Sequence, residues 1–147
     1  MNLFRRGHAA NRRGQALLEF ALVLPIFILL LVAIFDLGRA AFAYNTLTNA
    51  AREGARIAVL TGTTDADVTT RVRNYMQSGS LPNYGTAKVT ITRNVALTGP
   101  DTGSSIQIDY PFQFMVLNPV VKLIAPSDNK TGAPITMKSS AIMRNEM

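Results

Sequence analysis

Cysteine is absent from the 147-residue sequence, so no disulfide braces the fold and no thiolate holds a metal. The compartment stays open, because an exported protein need not use disulfides. Histidine occurs once, at position 8, inside a short basic leader. A nucleophile elsewhere in the chain therefore has no histidine base. There is no Gly-x-Ser-x-Gly elbow, phosphate loop, dinucleotide fingerprint or cluster with metal-ligand spacing. Asp65-Ala66-Asp67 lacks the later glycine and glutamate of a calcium loop. Lys138 and Ser139 are neighbours on an alternating stretch and face opposite sides, so they form no serine–lysine pair. Catalysis is not expected, and neither is a cofactor or a metal.

Acids are missing from the first 14 residues, which carry Arg5, Arg6, Arg12 and Arg13. From Gln15 onward 11 Lys/Arg face 9 Asp/Glu, so the net charge of +6 is mostly a property of the leader. Without interleaved aromatics or a basic face elsewhere, these arginines do not suggest a nucleic-acid partner. They read instead as the cytoplasmic flank of a membrane segment.

Charge is also nearly missing from the segment beyond the leader. Residues 15–35 (QALLEFALVLPIFILLLVAIF) are apolar apart from Gln15 and Glu19. A helix rising about 1.5 Å per residue needs roughly 20 residues to cross the hydrocarbon core. A carboxylate near the centre of such a run costs about 2.5–3.5 kcal/mol, and less near its start. A plain anchor would not select Glu19. Pro25 removes one backbone donor and is expected to kink the span. Three readings of this segment stay open. A cleaved signal peptide would use Ala41–Ala43, but the run exceeds an ordinary signal core, and Asp36 and Arg39 intervene. A permanent signal anchor would stay uncut. A prepilin-like segment would be cut after Gly14 and kept as a helix.

Residues 36–60 should continue the helix. Ala40, Tyr44, Leu47, Ala51, Ala55 and Ala58 recur at three- and four-residue steps, and small residues including Gly54 allow close packing. A stop is expected at Thr61-Gly62, then a second helix over 65–77 capped by Thr63-Thr64-Asp65. Strands are expected over 87–95, 105–114 and 135–144, the first two joined as a hairpin through the 97–103 turn. Pro111 should end regular pairing or sit at an edge. Residues 115–124 suggest a short helix lying on the sheet. The expected fold is α+β: a long N-terminal helix, half span and half soluble, packed on a small antiparallel sheet. The organisation is a leader (1–14), a transmembrane helix (15–35) and an extracytoplasmic domain (36–147).

RRGQALLEFALVLP (12–25), DLGR (36–39) and TLTNAAREGAR (46–56) closely resemble the TadE-like family, pseudopilin-like proteins of tight-adherence (Flp, type IVc) pilus systems. DYPF (109–112) and AIMRNE (141–146) also look like the family's C-terminal pattern. The resemblance implies a pilin-like fold and processing by a prepilin peptidase. Gly14 matches the residue before the cut, Gln15 the new N-terminus, and Glu19 the acid that meets a neighbouring subunit's N-terminus. Asp36 and Arg39 match the post-span motif. Gln15 departs from the aromatic or aliphatic start common in pilins. Glu19 facing water at headgroup level is the alternative to an intersubunit contact. The resemblance further implies a minor pilin or pseudopilin in the inner membrane, N-terminus cytoplasmic, partnered by pilin-like subunits and the assembly platform. The alternative is an unprocessed, single-span binding or accessory module.

Overall fold

The computed structural model describes residues 8–98, 100–124 and 133–145, with the backbone alone for 8–13, 121, 123 and 124. The start of the leader, Gly99 in the hairpin turn, the 126–132 loop and Glu146 lie outside the described residues.

Helix α1 runs from His8 to Ala58, 51 residues with Pro25 inside it. At about 1.5 Å per residue it is roughly 76 Å long. It starts within the segment read as leader and passes through Gly14 without a break. From Gly14 to Phe35 it is exposed almost throughout; after Asp36, one face enters the core. Leu47, Ala50, Ala51 and Ala55 are fully buried, with Ala43 and Ala58 close to it. Ala40 packs against this core, as expected, but Tyr44 does not: it is 51% exposed, and Ala43 holds the inward position. Along α1 the inward face is built of small side chains that let neighbours approach, and a tyrosine ring would hold them off.

The stop at Gly62 is as expected, with φ +84°. Only glycine adopts that conformation without strain. Helix α2 (Asp65–Ser78) comes next. Thr64 Oγ1 accepts from the Asp67 amide at 3.2 Å while Asp67 accepts from the Thr64 amide at 3.0 Å, a reciprocal cap. Val68, Val72 and Met76, four residues apart, are fully buried against α1. The helices meet at Gly54, where an added Cβ would lie 2.5 Å from Val72 Cγ2.

After a 3-10 turn at Tyr84–Thr86 come β1 (Lys88–Ala96) and β2 (Thr102–Phe112), and then helix α3 (Leu117–Ile124) and β3 (Ile135–Arg144). The sheet is antiparallel in the order β1-β2-β3. Central β2 turns Ile106, Ile108, Tyr110 and Phe112 into the core, on the alternation read from sequence. The last β1–β2 pair is Lys88 with Asp109, whereas β2–β3 pairing runs on to Phe112 with Ile135. Pro111 therefore lies where one side of β2 is an open edge, although it does not end the strand.

Helix α3 departs from expectation. Among the described residues its main neighbour is α1 rather than the sheet, and the Asp36 carboxylate accepts from the amides at its start.

Candidate functional site

The residues singled out from sequence fall into two groups along α1. The first is Gly14, Gln15 and Glu19, on the exposed N-terminal half. Gln15 Nε2 donates to Glu19 Oε1 at 3.2 Å, one helical turn away. Among the described residues nothing lies within 4 Å of a Cβ built on Gly14, so none of them requires a glycine there. Leu17, Leu18, Phe20, Leu22 and Val23 around them are 60–70% exposed. Pro25 lies further along the same helix, still exposed.

The second group lies at the end of the apolar run, about 25 Å further along at 1.5 Å per residue. Asp36 is 2% exposed. Its carboxylate accepts from the amides of Met115 (3.2 Å), Val116 (2.9 Å) and Leu117 (3.1 Å), and from Arg39 Nη1 at 3.1 Å. Burial acts to raise its pKa, but the three amides and the guanidinium outweigh it, and the pKa is lowered. A helix of eight residues starting at Leu117 is thus capped by an acid some 80 positions earlier in the chain. The Arg39 guanidinium carbon lies 5.7 Å from the Phe112 ring centroid, and Phe112 meets Phe114 edge to face at 5.2 Å. Asp36 and Arg39 thereby fasten the end of the exposed helix to the far end of β2 and the start of α3. Beside them open two grooves. One, of about 470 Å³, is lined in part by Arg39, Tyr110, Phe112, Met115 and Lys122. The other, of about 520 Å³, is mainly apolar, with Ile34, Phe35, Phe42, Leu81 and Phe112 in its walls.

Of the DYPF residues, Tyr110 and Phe112 are core, and the Tyr110 hydroxyl donates to the Pro82 carbonyl. Within AIMRNE, Asn145 ties the sheet's end together. It accepts from Ser104 Oγ at 2.9 Å and donates to Thr102 Oγ1 at 3.1 Å and Asn94 Oδ1 at 3.3 Å.

Two polar anchors escaped the sequence reading. Glu53 accepts from Arg56 on its own helix and from Arg71 on α2, at 2.9 and 2.7 Å, and its pKa falls to about 2 for those two reasons. Arg93 donates to the carbonyls of Ala58 and Thr63 and pairs with Asp65 at 2.8 Å, closing the C-terminus of α1. Sequence spacing reveals only the Glu53–Arg56 step.

The architecture is therefore an α+β domain on the second half of one long helix whose first half is bare and apolar. Among the described residues this is the one helix long and apolar enough to cross a membrane, and the apolar window is wholly unburied. That suggests a single-pass anchor. The family model described as "TadE-like protein" matches residues 14–56, bearing out the resemblance over the stretch that carries Gly14, Glu19, Asp36 and Arg39. The match covers part of helix α1 and suggests a Tad pilus-related protein. No curated protein and no solved structure matches it.

Proposed function

We propose that the protein is a minor pilin or pseudopilin of a tight-adherence pilus, inserted once in the inner membrane with its N-terminus cytoplasmic and its domain outside. It works by association, not by catalysis. The observation that carries this reading is the continuity of α1. An apolar rod bearing one acid, Glu19, runs without interruption into a domain that packs only on its second half. A rod so exposed needs lipid or other helices around it. In this reading a prepilin peptidase cuts after Gly14, and the new amino group at Gln15 meets the Glu19 carboxylate of an adjacent subunit. Gln15 and Glu19 already lie within hydrogen-bond distance in one chain. Cleavage requires local unwinding of α1, which glycine eases by about 1 kcal/mol relative to alanine. The assembly platform and other pilin-like subunits are the expected partners.

The unbroken helix from His8 through Gly14 favours a second reading, a permanently anchored accessory module that is never cut. N-terminal sequencing and intact mass from cells with and without the peptidase decide between them. A chain beginning at Gln15 only when the peptidase is present supports the pilin reading. A chain beginning at Met1 in both overturns processing.

A further inference from the structure

We infer that residues 115–124, the approach to α3 and α3 itself, form a second membrane contact, lying in the boundary between lipid headgroups and acyl chains beside the point where α1 leaves the bilayer. The inference rests on the single-pass reading of α1 and adds a lipid-binding surface to it.

Position comes first. Asp36 directly succeeds Phe35, the last residue of the apolar run. Three successive amides, Met115 to Leu117, lie within 3.2 Å of its carboxylate. If the run spans the bilayer, the start of this segment is held at the bilayer surface and cannot drift from it. Composition agrees. Seven of the ten residues in MVLNPVVKLI are apolar, and from Tyr110 to Ile124 the chain has one lysine and no acid. Exposure points the same way: Met115 is 68% and Val116 37% exposed, next to a helix end where Ile34 and Phe35 are 58% and 74% exposed. Met115 and Val116 are tied through their amides to Asp36, so their exposed apolar side chains lie beside the end of the span.

The buried acid then gains a reason. A chain segment entering the lipid boundary with free amides pays for each unsatisfied donor. Asp36 satisfies three of them from within the protein. Lys122 is exposed on α3, and its long stem allows the ammonium to reach the headgroups.

Because the chain has no cysteine, single-cysteine labelling reports the surface directly. The full chain carrying Met115→Cys, Phe35→Cys or Thr61→Cys, labelled with an environment-sensitive fluorophore, is placed in phosphatidylcholine–phosphatidylglycerol vesicles with brominated acyl chains. Quenching at 115 should reach at least about half of that at 35, as for groups roughly 5–10 Å deep in the boundary, and Thr61 should show almost none. Val116→Cys supplies a second reporter should Met115→Cys misfold. Quenching at 115 as low as at 61, with 35 quenched, overturns the lipid contact and leaves the anchor standing. An unquenched 35 overturns the anchor itself. A label at 115 shielded from lipid and water alike, and released on dilution with unlabelled chain, assigns the surface to a second copy and overturns the proposal.

Discussion

The carboxylate of Asp36 and the amide of Val116 are 2.9 Å apart although 80 residues separate them. Two further amides and Arg39 converge on the same side chain, which is almost fully buried. Asp36→Ala removes the cap of α3 and its main tie to α1. The expected cost is about 2–4 kcal/mol, since several charge-assisted bonds are lost and three donors are left without a partner. Asp36→Asn should cost nearly as much, because an amide group offers one acceptor oxygen instead of two and turns donors toward donors. Thermal melts of the full chain in detergent measure both, and hydrogen exchange at 115–117 should accelerate in each.

The same carboxyl carries a pH signature. Its pKa is lower folded than the ordinary 3.8, so its stabilisation is complete above that value and fades as pH falls through the folded pKa. Glu53 behaves likewise over a wider window, from 4.5 down to about 2. The fold should lose stability on acidification below about pH 4.5. Glu53→Gln should flatten the upper part of that decline. Melting temperatures over this range, for wild type and variant, test the assignment, and an unchanged slope would contradict it.

At Gly54 packing and helix propensity oppose each other. Alanine in a helix interior gains about 1 kcal/mol over glycine. Here its Cβ would meet Val72 Cγ2 at 2.5 Å and Ile106 Cγ2 at 3.4 Å, both on fully buried side chains. Valine in a helix has one strongly preferred rotamer, so it cannot swing aside. Gly54→Ala should therefore be destabilising by about 1–2 kcal/mol net, and Gly54→Val by more. Gly54→Ala combined with Val72→Ala should recover part of the loss. Denaturant midpoints of the two single variants and the double variant give the coupling.

How much of the fold is readable in the sequence depends on how local each feature is. The span, the capped second helix and the alternating strands announce themselves through neighbours at fixed spacing. Gly62 marks the end of α1 because only glycine takes its conformation freely. β2 begins at Thr102, inside the stretch read as turn, because Thr102 pairs with Ala96 of β1 and Gly103 with both Val95 of β1 and Arg144 of β3. Tyr44 is misplaced by one step of the helical stripe, since size as well as period decides which face is buried. The role of Asp36 is hidden for a physical reason. Its partners are backbone amides, which every residue except proline possesses, so no side-chain pattern records them. Arg93 is legible as a position on one face of β1, but not as the cap of a helix ending 35 residues earlier.

Glu19 gives the sharpest test of association. It is exposed, and Gln15 donates to it within the chain. Removing its charge should leave the domain untouched, because the packed core begins near Ala43, some 36 Å further along the helix at about 1.5 Å per residue. As a membrane segment the variant should insert at least as well, since an ionised side chain in a span is a cost. If Glu19 is retained to meet the amino terminus of a neighbour, Glu19→Gln and Glu19→Leu should both abolish pilus incorporation while melting temperature and membrane fractionation stay at wild-type values. Glutamine keeps the shape and hydrogen-bonding capacity but not the charge, so equal loss in both variants identifies the ionic contact. Loss in Glu19→Leu alone would identify a hydrogen bond. Wild-type pilus levels in both would mean that Glu19 merely sits among headgroups and that the span is an anchor without an ionic address.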